Sequence, residues 1–139
     1  MIGVVQNFEE WLAFVTARLT QPVSQDTAPD GSIYLTGGEP AEVIVRLTRS
    51  TVTVWEYAVT WDTPQSSTVT PVRAGSVAWR NIPYAGAVAA VRALIDAARE
   101  SRLSKCSVCS HCEQRKPPEV MHDDDVCQSC ARRNPGVVY

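Results

Sequence analysis

Residues 106–130 read CSVCSHCEQRKPPEVMHDDDVCQSC, and every cysteine and both histidines of the chain lie within them. Cys109 and Cys112 form one C-x2-C pair, Cys127 and Cys130 a second, and residues 113–126 separate the two. This is the spacing of a structural zinc site. A C-x2-C turn sets two thiolates on one side of the ion. A second turn, returned by a short hairpin, completes a tetrahedron of soft ligands. Cys106 leaves the first pair open, because Cys106 and Cys109 also stand at C-x2-C spacing. The 109/112 pairing is favoured because Arg115, Lys116 and Pro117-Pro118 then follow as the outgoing strand of a compact hairpin. Two other readings stay open. Three cysteines at C-x2-C-x2-C fit three corners of an iron–sulfur cluster, although Ala131 follows Cys130 where the ferredoxin run has proline. The other is a set of reduced, unliganded thiols.

The run CSHCEQRKPPEVMHDDDVCQSC resembles the zinc-ribbon or treble-clef knuckle pattern, found at the ends of small bacterial proteins and within HNH-type nucleases. The resemblance covers Cys109 to Ala131. It implies a zinc-bound hairpin with Cys109, Cys112, Cys127 and Cys130 as the Zn2+ ligands. Many such knuckles carry Gly after the second cysteine, where this chain has Glu113. HNH nucleases add a His-bearing ββα unit downstream, and here nine residues follow Cys130, so nuclease activity is not carried over.

Four thiolates close the shell and leave the ion with a net charge of about −2, unsuited to Lewis-acid work. The metal is therefore read as structural. His122, beside Asp123, Asp124 and Asp125, is an alternate ligand or base on one reading and a solvated hairpin tip on the favoured one. No G-x-S-x-G, H-E-x-x-H, Walker or G-x-G-x-x-G stretch occurs, and the expectation is that the protein is not an enzyme. From Ser104 onward the basic residues Lys105, Arg115, Lys116, Arg132 and Arg133 balance the acids Glu113, Glu119, Asp123, Asp124 and Asp125, five against five. A neutral tail does not favour a phosphate backbone.

The 139 residues fit one ordinary domain, or a domain of about a hundred residues with an appendage. A hydrophobic fraction of 45% and a net charge of −2 fit a soluble globular protein without a charged partner surface. Arg outnumbers Lys eleven to two, a compositional hint of a GC-rich bacterial source. The start MIGVVQNFEEWL has no basic n-region or long apolar run, and the longest apolar stretch, Tyr84–Val91, is too short to span a membrane. A cytoplasmic location is expected, where cysteines remain thiols.

Residues 7–19 predict an amphipathic helix with Phe8, Trp11, Leu12, Val15 and Leu19 on one face, an Asn7/Glu10 capping box at its start and Pro22 beyond its end. Residues 20–32 read as a loop. Strands are predicted over 32–36 and 42–48, with a turn at Gly37-Gly38. The longest, Thr51–Asp62, changes phase: Val52 and Val54 sit on even positions, Trp55, Tyr57, Val59 and Trp61 on odd ones. A bulge near Val54 or cover on both faces accounts for this, and a central strand is favoured. Residues 69–79 predict one strand or a pair, weakened by Pro71 and Gly75. A second helix, Tyr84–Leu103, is capped by Asn81 and carries the stripe Tyr84, Val88, Val91, Ile95 and Ala98, with Arg92, Asp96, Arg99, Glu100 and Arg102 outside it.

The expected architecture is α+β: a helix, a three- to five-stranded antiparallel sheet and a helix over residues 1–103, then a zinc ribbon over 104–139 docked without a flexible linker. The favoured function is a zinc-bound module for protein–protein interaction with an unidentified protein partner. Alternatives are a nucleic-acid-binding or transcription-associated factor, or a small immunity or inhibitor protein acting through the sheet face. The final Val137-Val138-Tyr139 reads either as a segment folded back on the domain or as a partner contact.

Overall fold

The computed structural model describes residues 7–123 and 125–133, without the side chain of Arg133. The expectations for the N-terminal six residues, Asp124 and Val137–Tyr139 lie outside the described residues. The described chain is mixed α/β, with antiparallel sheet, three helices and a C-terminal cluster of cysteines.

Helix α1, Phe8–Arg18, begins where the Asn7 side chain accepts a hydrogen bond from the Glu10 amide at 2.7 Å. That bond satisfies one of the amides left over in the first turn, and Glu9 and Glu10 add negative charge at the positive end of the helix dipole. Trp11, Val15 and Leu19 are buried, and Phe8 and Leu12 pack beside them.

The next segment corrects the sequence reading, because residues 23–27 are not loop. They form strand β1, Val23–Thr27, paired antiparallel to β2, Ile33–Gly37. Ser24, Gln25, Asp26 and Thr27 are all exposed, so no apolar alternation announces the strand. Backbone pairing alone makes it, and its polar side chains suit a sheet edge. The turn between them closes through the Gly31 amide on the Ala28 carbonyl at 2.9 Å, with Gly31 at φ 89°. Asp30 accepts from the Ser32 amide at 2.9 Å.

Strands β3, Val43–Leu47, and β4, Val52–Glu56, alternate buried and half-buried positions as β2 does. The five-stranded order is β1-β2-β3-β4-β7, with β7 at Val72–Val77, which makes β4 an interior strand. The long strand expected over residues 51–62 is divided. After Glu56 the chain leaves this sheet, and Val59–Thr63 (β5) pairs with Ser66–Val69 (β6) as a separate hairpin. The phase change thus has two causes. Val52, Val54 and Glu56 face the helices, while Trp55 lies on the opposite face, stacked 6.4 Å from Tyr34. A register shift does fall between Val54 and Trp55, but their partners on β7 are Gly75 and Arg73, so the extra residue is Ala74 on β7. Gly75 sits close under α2: a Cβ there would lie 2.8 Å from Leu94 Cδ2 and would have to displace the tip of that side chain.

Asn81 is not the cap of the second helix. It ends a 3-10 turn, Trp79–Asn81, and helix α2 runs from Tyr84 to Ser104 behind Pro83 with no side-chain cap. The turn buries Trp79, whose indole donates to the Thr48 carbonyl at 3.2 Å and lies 5.8 Å from the Trp11 ring. Ala87, Val91, Ile95 and Ala98 pack α2 on the sheet, with Tyr84 and Val88 half-buried at the margin. The stripe does not stop at Ala98. Arg102, read as solvent-facing, is 2% exposed.

Candidate metal centre

After α2, strands β8, Ser107–Val108, and β9, Arg115–Lys116, form a two-stranded hairpin. Its tip is the turn that carries Cys109 and Cys112. The Cys109 amide donates to the Gln114 carbonyl at 2.9 Å, and the Glu113 amide returns to the Cys109 carbonyl at 2.8 Å. Glu113 adopts φ 61°, a left-handed conformation that favours glycine.

The second pair is positioned differently from the first. Cys127 forms an isolated antiparallel bridge with Met121, and Cys130 lies in helix α3, Gln128–Arg133. Asp123 organises the connecting turn: its Oδ1 accepts from the amides of Asp125 at 2.8 Å and Val126 at 3.0 Å. The Ser110 amide donates to the Asp125 carbonyl at 2.7 Å, tying the first knuckle to the second turn.

These elements bring the Sγ atoms of Cys109, Cys112, Cys127 and Cys130 within 4.8 Å of one another. Four sulfurs bound tetrahedrally at about 2.3 Å stand roughly 3.8 Å apart, and Cys112 Sγ lies 4.0 Å from Cys127 Sγ. No disulfide joins the described cysteines. Cys109, Cys127 and Cys130 are buried and Cys112 is half-buried. Backbone amides aim at the sulfur: His111 and Cys127 each donate to Cys109 Sγ at 3.4 Å. Hydrogen bonds from the backbone of Cys112, Cys127 and His111 outweigh desolvation and hold the Cys109 thiol down at about 5. Four converging sulfurs are a donor set that could hold a soft or borderline metal ion.

Cys106 stands apart from the group of four. Burial pushes its thiol up, against the nearby charges of Arg102 and Arg115, and its Sγ meets the Arg102 carbonyl at 3.5 Å. His111 and His122 are exposed and not among the converging ligand atoms.

Sequence reasoning missed the residues that seat this module. Arg102 donates from Nη1 to Glu119 Oε1 at 2.9 Å and from Nη2 to Glu119 Oε2, while its Nε reaches the Ala41 carbonyl at 3.1 Å. Lys105 pairs with the buried Glu56 at 2.7 Å, and Pro117 is fully buried. The signal was available, since Arg102 follows Ala98 by four residues and extends the buried stripe. Among the described residues no helix is long and apolar enough to cross a membrane. Comparison with family models, with curated proteins and with solved structures gave no match.

Proposed function

We propose that Cys109, Cys112, Cys127 and Cys130 hold one structural Zn2+, and that the module built around it serves protein–protein interaction. The observation that carries this reading is the convergence of the four sulfurs. On it, residues 1–103 form a helix–sheet–helix domain and residues 104–139 a zinc ribbon of treble-clef character, with the second cysteine pair leading into a helix. A closed four-thiolate shell gives the ion no open position for substrate, which supports a non-enzymatic role.

A protein partner is favoured by the surface around the module. Val108 is 54% exposed and Val120 37% within a neutral tail, and Trp61, 45% exposed, reaches that tail from the β5–β6 hairpin through the Glu119 carbonyl. Phosphate recognition requires a positive surface that these residues do not provide. The test is capture of partners from source-cell lysate on the zinc-loaded protein, with and without nuclease. Capture that survives nuclease and moderate salt, and is lost with the Cys112→Ser variant, supports the reading. Retention of generic DNA or RNA that falls steeply with salt overturns it in favour of nucleic-acid binding.

A further inference from the structure

Glu119 connects three parts of the molecule. It lies in the 3-10 turn Pro118–Val120, between the two cysteine pairs. Its carboxylate receives both terminal nitrogens of Arg102 from α2. Its carbonyl accepts from Trp61 Nε1 of the β5–β6 hairpin at 3.2 Å and from Gln128 Nε2 of α3 at 3.4 Å. The Arg102 guanidinium lies 5.3 Å from the Tyr57 ring, so the ion pair also abuts the segment leading into that hairpin.

The position of Glu119 depends on the cysteine cluster. Residues 113–126 bring few apolar side chains to a core: Pro117 and Val126 are buried, Met121 is half-buried and Val120 exposed. Met121, two residues after Glu119, bridges to Cys127. A segment this short and polar is ordered by what ties its ends, and both ends lead to cysteines of the cluster. The hairpin is equally dependent. Among the described residues β5 and β6 form a two-stranded sheet of their own, their side chains are nearly all exposed, and an isolated two-stranded hairpin is marginal in water.

We infer that metal occupancy of the cysteine cluster works a latch at Glu119, one that clamps Arg102 and holds the β5–β6 hairpin through Trp61. The inference rests on the reading of the cluster as a metal centre. With metal bound, Glu119 neutralises a guanidinium that is 2% exposed. With metal lost, the turn loosens, Arg102 loses its anion and swings toward water, and the Trp61 end of the hairpin is released. The coupling runs both ways, so an intact clamp also raises metal affinity.

The test follows the indole N–H signals of the full chain by 15N NMR, zinc-loaded and after chelation, with elemental analysis of the same samples. Trp61→Phe assigns the reporter signal. On metal removal the Trp61 signal should shift, while those of Trp11 and Trp79 in the main core hold their positions. In a competition assay with a chromophoric chelator, Glu119→Gln and Arg102→Met should each bind zinc about ten-fold more weakly than the parent. A Trp61 signal unmoved by verified metal loss, or two variants with parental zinc affinity, overturns the latch and leaves the metal centre standing. A chain that takes up no metal overturns both.

Discussion

Replacing Glu119 with Ala would leave the Arg102 guanidinium buried without its hydrogen-bonded anion. The structure fixes how severe this is. Arg102 is 2% exposed, the side chain of Glu119 is 11% exposed, and what remains beside the guanidinium is the Ala41 carbonyl, the Tyr57 ring and the charge of Glu56, which is itself paired with Lys105. Breaking a buried ion pair from one side costs about 3–5 kcal/mol, because the charge left behind keeps its desolvation penalty. With a urea dependence of about 1.5 kcal/mol per molar, Glu119→Ala should lower the unfolding midpoint of the zinc-loaded protein by about 2–3 M. The double variant Arg102→Met with Glu119→Leu removes both charges and retains apolar volume, so it should recover most of that loss. Urea titration followed by far-UV circular dichroism measures all three proteins. A midpoint for Glu119→Ala within about 0.5 M of the parent would show that Arg102 finds water or another anion, and the buried-clamp reasoning would fail.

Glu113→Gly places a residue without a Cβ at φ 61° and should stabilise the zinc-bound module by about 0.5–1 kcal/mol, read as a higher melting temperature. A lower one would mean that the Glu113 side chain contributes more than its backbone costs. Burial pushes the Glu56 carboxyl up, but hydrogen bonds from Lys105 and Ser101 and the charges of Lys105 and Arg102 bring it below its ordinary 4.5. A depressed carboxylate adds stability that is present above its unfolded pKa and lost as pH falls through the folded one. Urea midpoints measured downward from pH 6 should therefore fall less steeply for Glu56→Gln than for the parent, and equal slopes would assign the acid sensitivity to other groups.

The parts of this fold written in side-chain chemistry could be read from the sequence. Asn7 and Glu10 marked the start of α1, the alternation of Val43, Val45 and Leu47 marked a strand, and the spacing of four cysteines marked where sulfur converges. Strand β1 could not be read this way, because Ser24 to Thr27 expose their side chains and the strand exists through its backbone ladder with β2. The break after Glu56 was hidden because Tyr57 and Ala58 are not turn formers, yet from Val59 the chain pairs with residues 66–69 instead of the main sheet. Arg102 was misplaced because its charge outweighed its position on the stripe. Its burial is accounted for by Glu119 in the cysteine module and by the Ala41 carbonyl, partners that the helix pattern does not reveal. Asn81 carried a capping signature, yet the 3-10 turn that buries Trp79 claimed it first.

The most direct measurement of the central claim is metal content per chain for the parent and the five single cysteine-to-serine variants, by elemental analysis of protein purified without added metal. The parent and Cys106→Ser should each carry about one equivalent of zinc and negligible iron, while Cys109→Ser, Cys112→Ser, Cys127→Ser and Cys130→Ser should each lose it. Stoichiometric iron in the parent, or a Cys106→Ser variant that loses its metal while Cys112→Ser keeps it, would contradict the account.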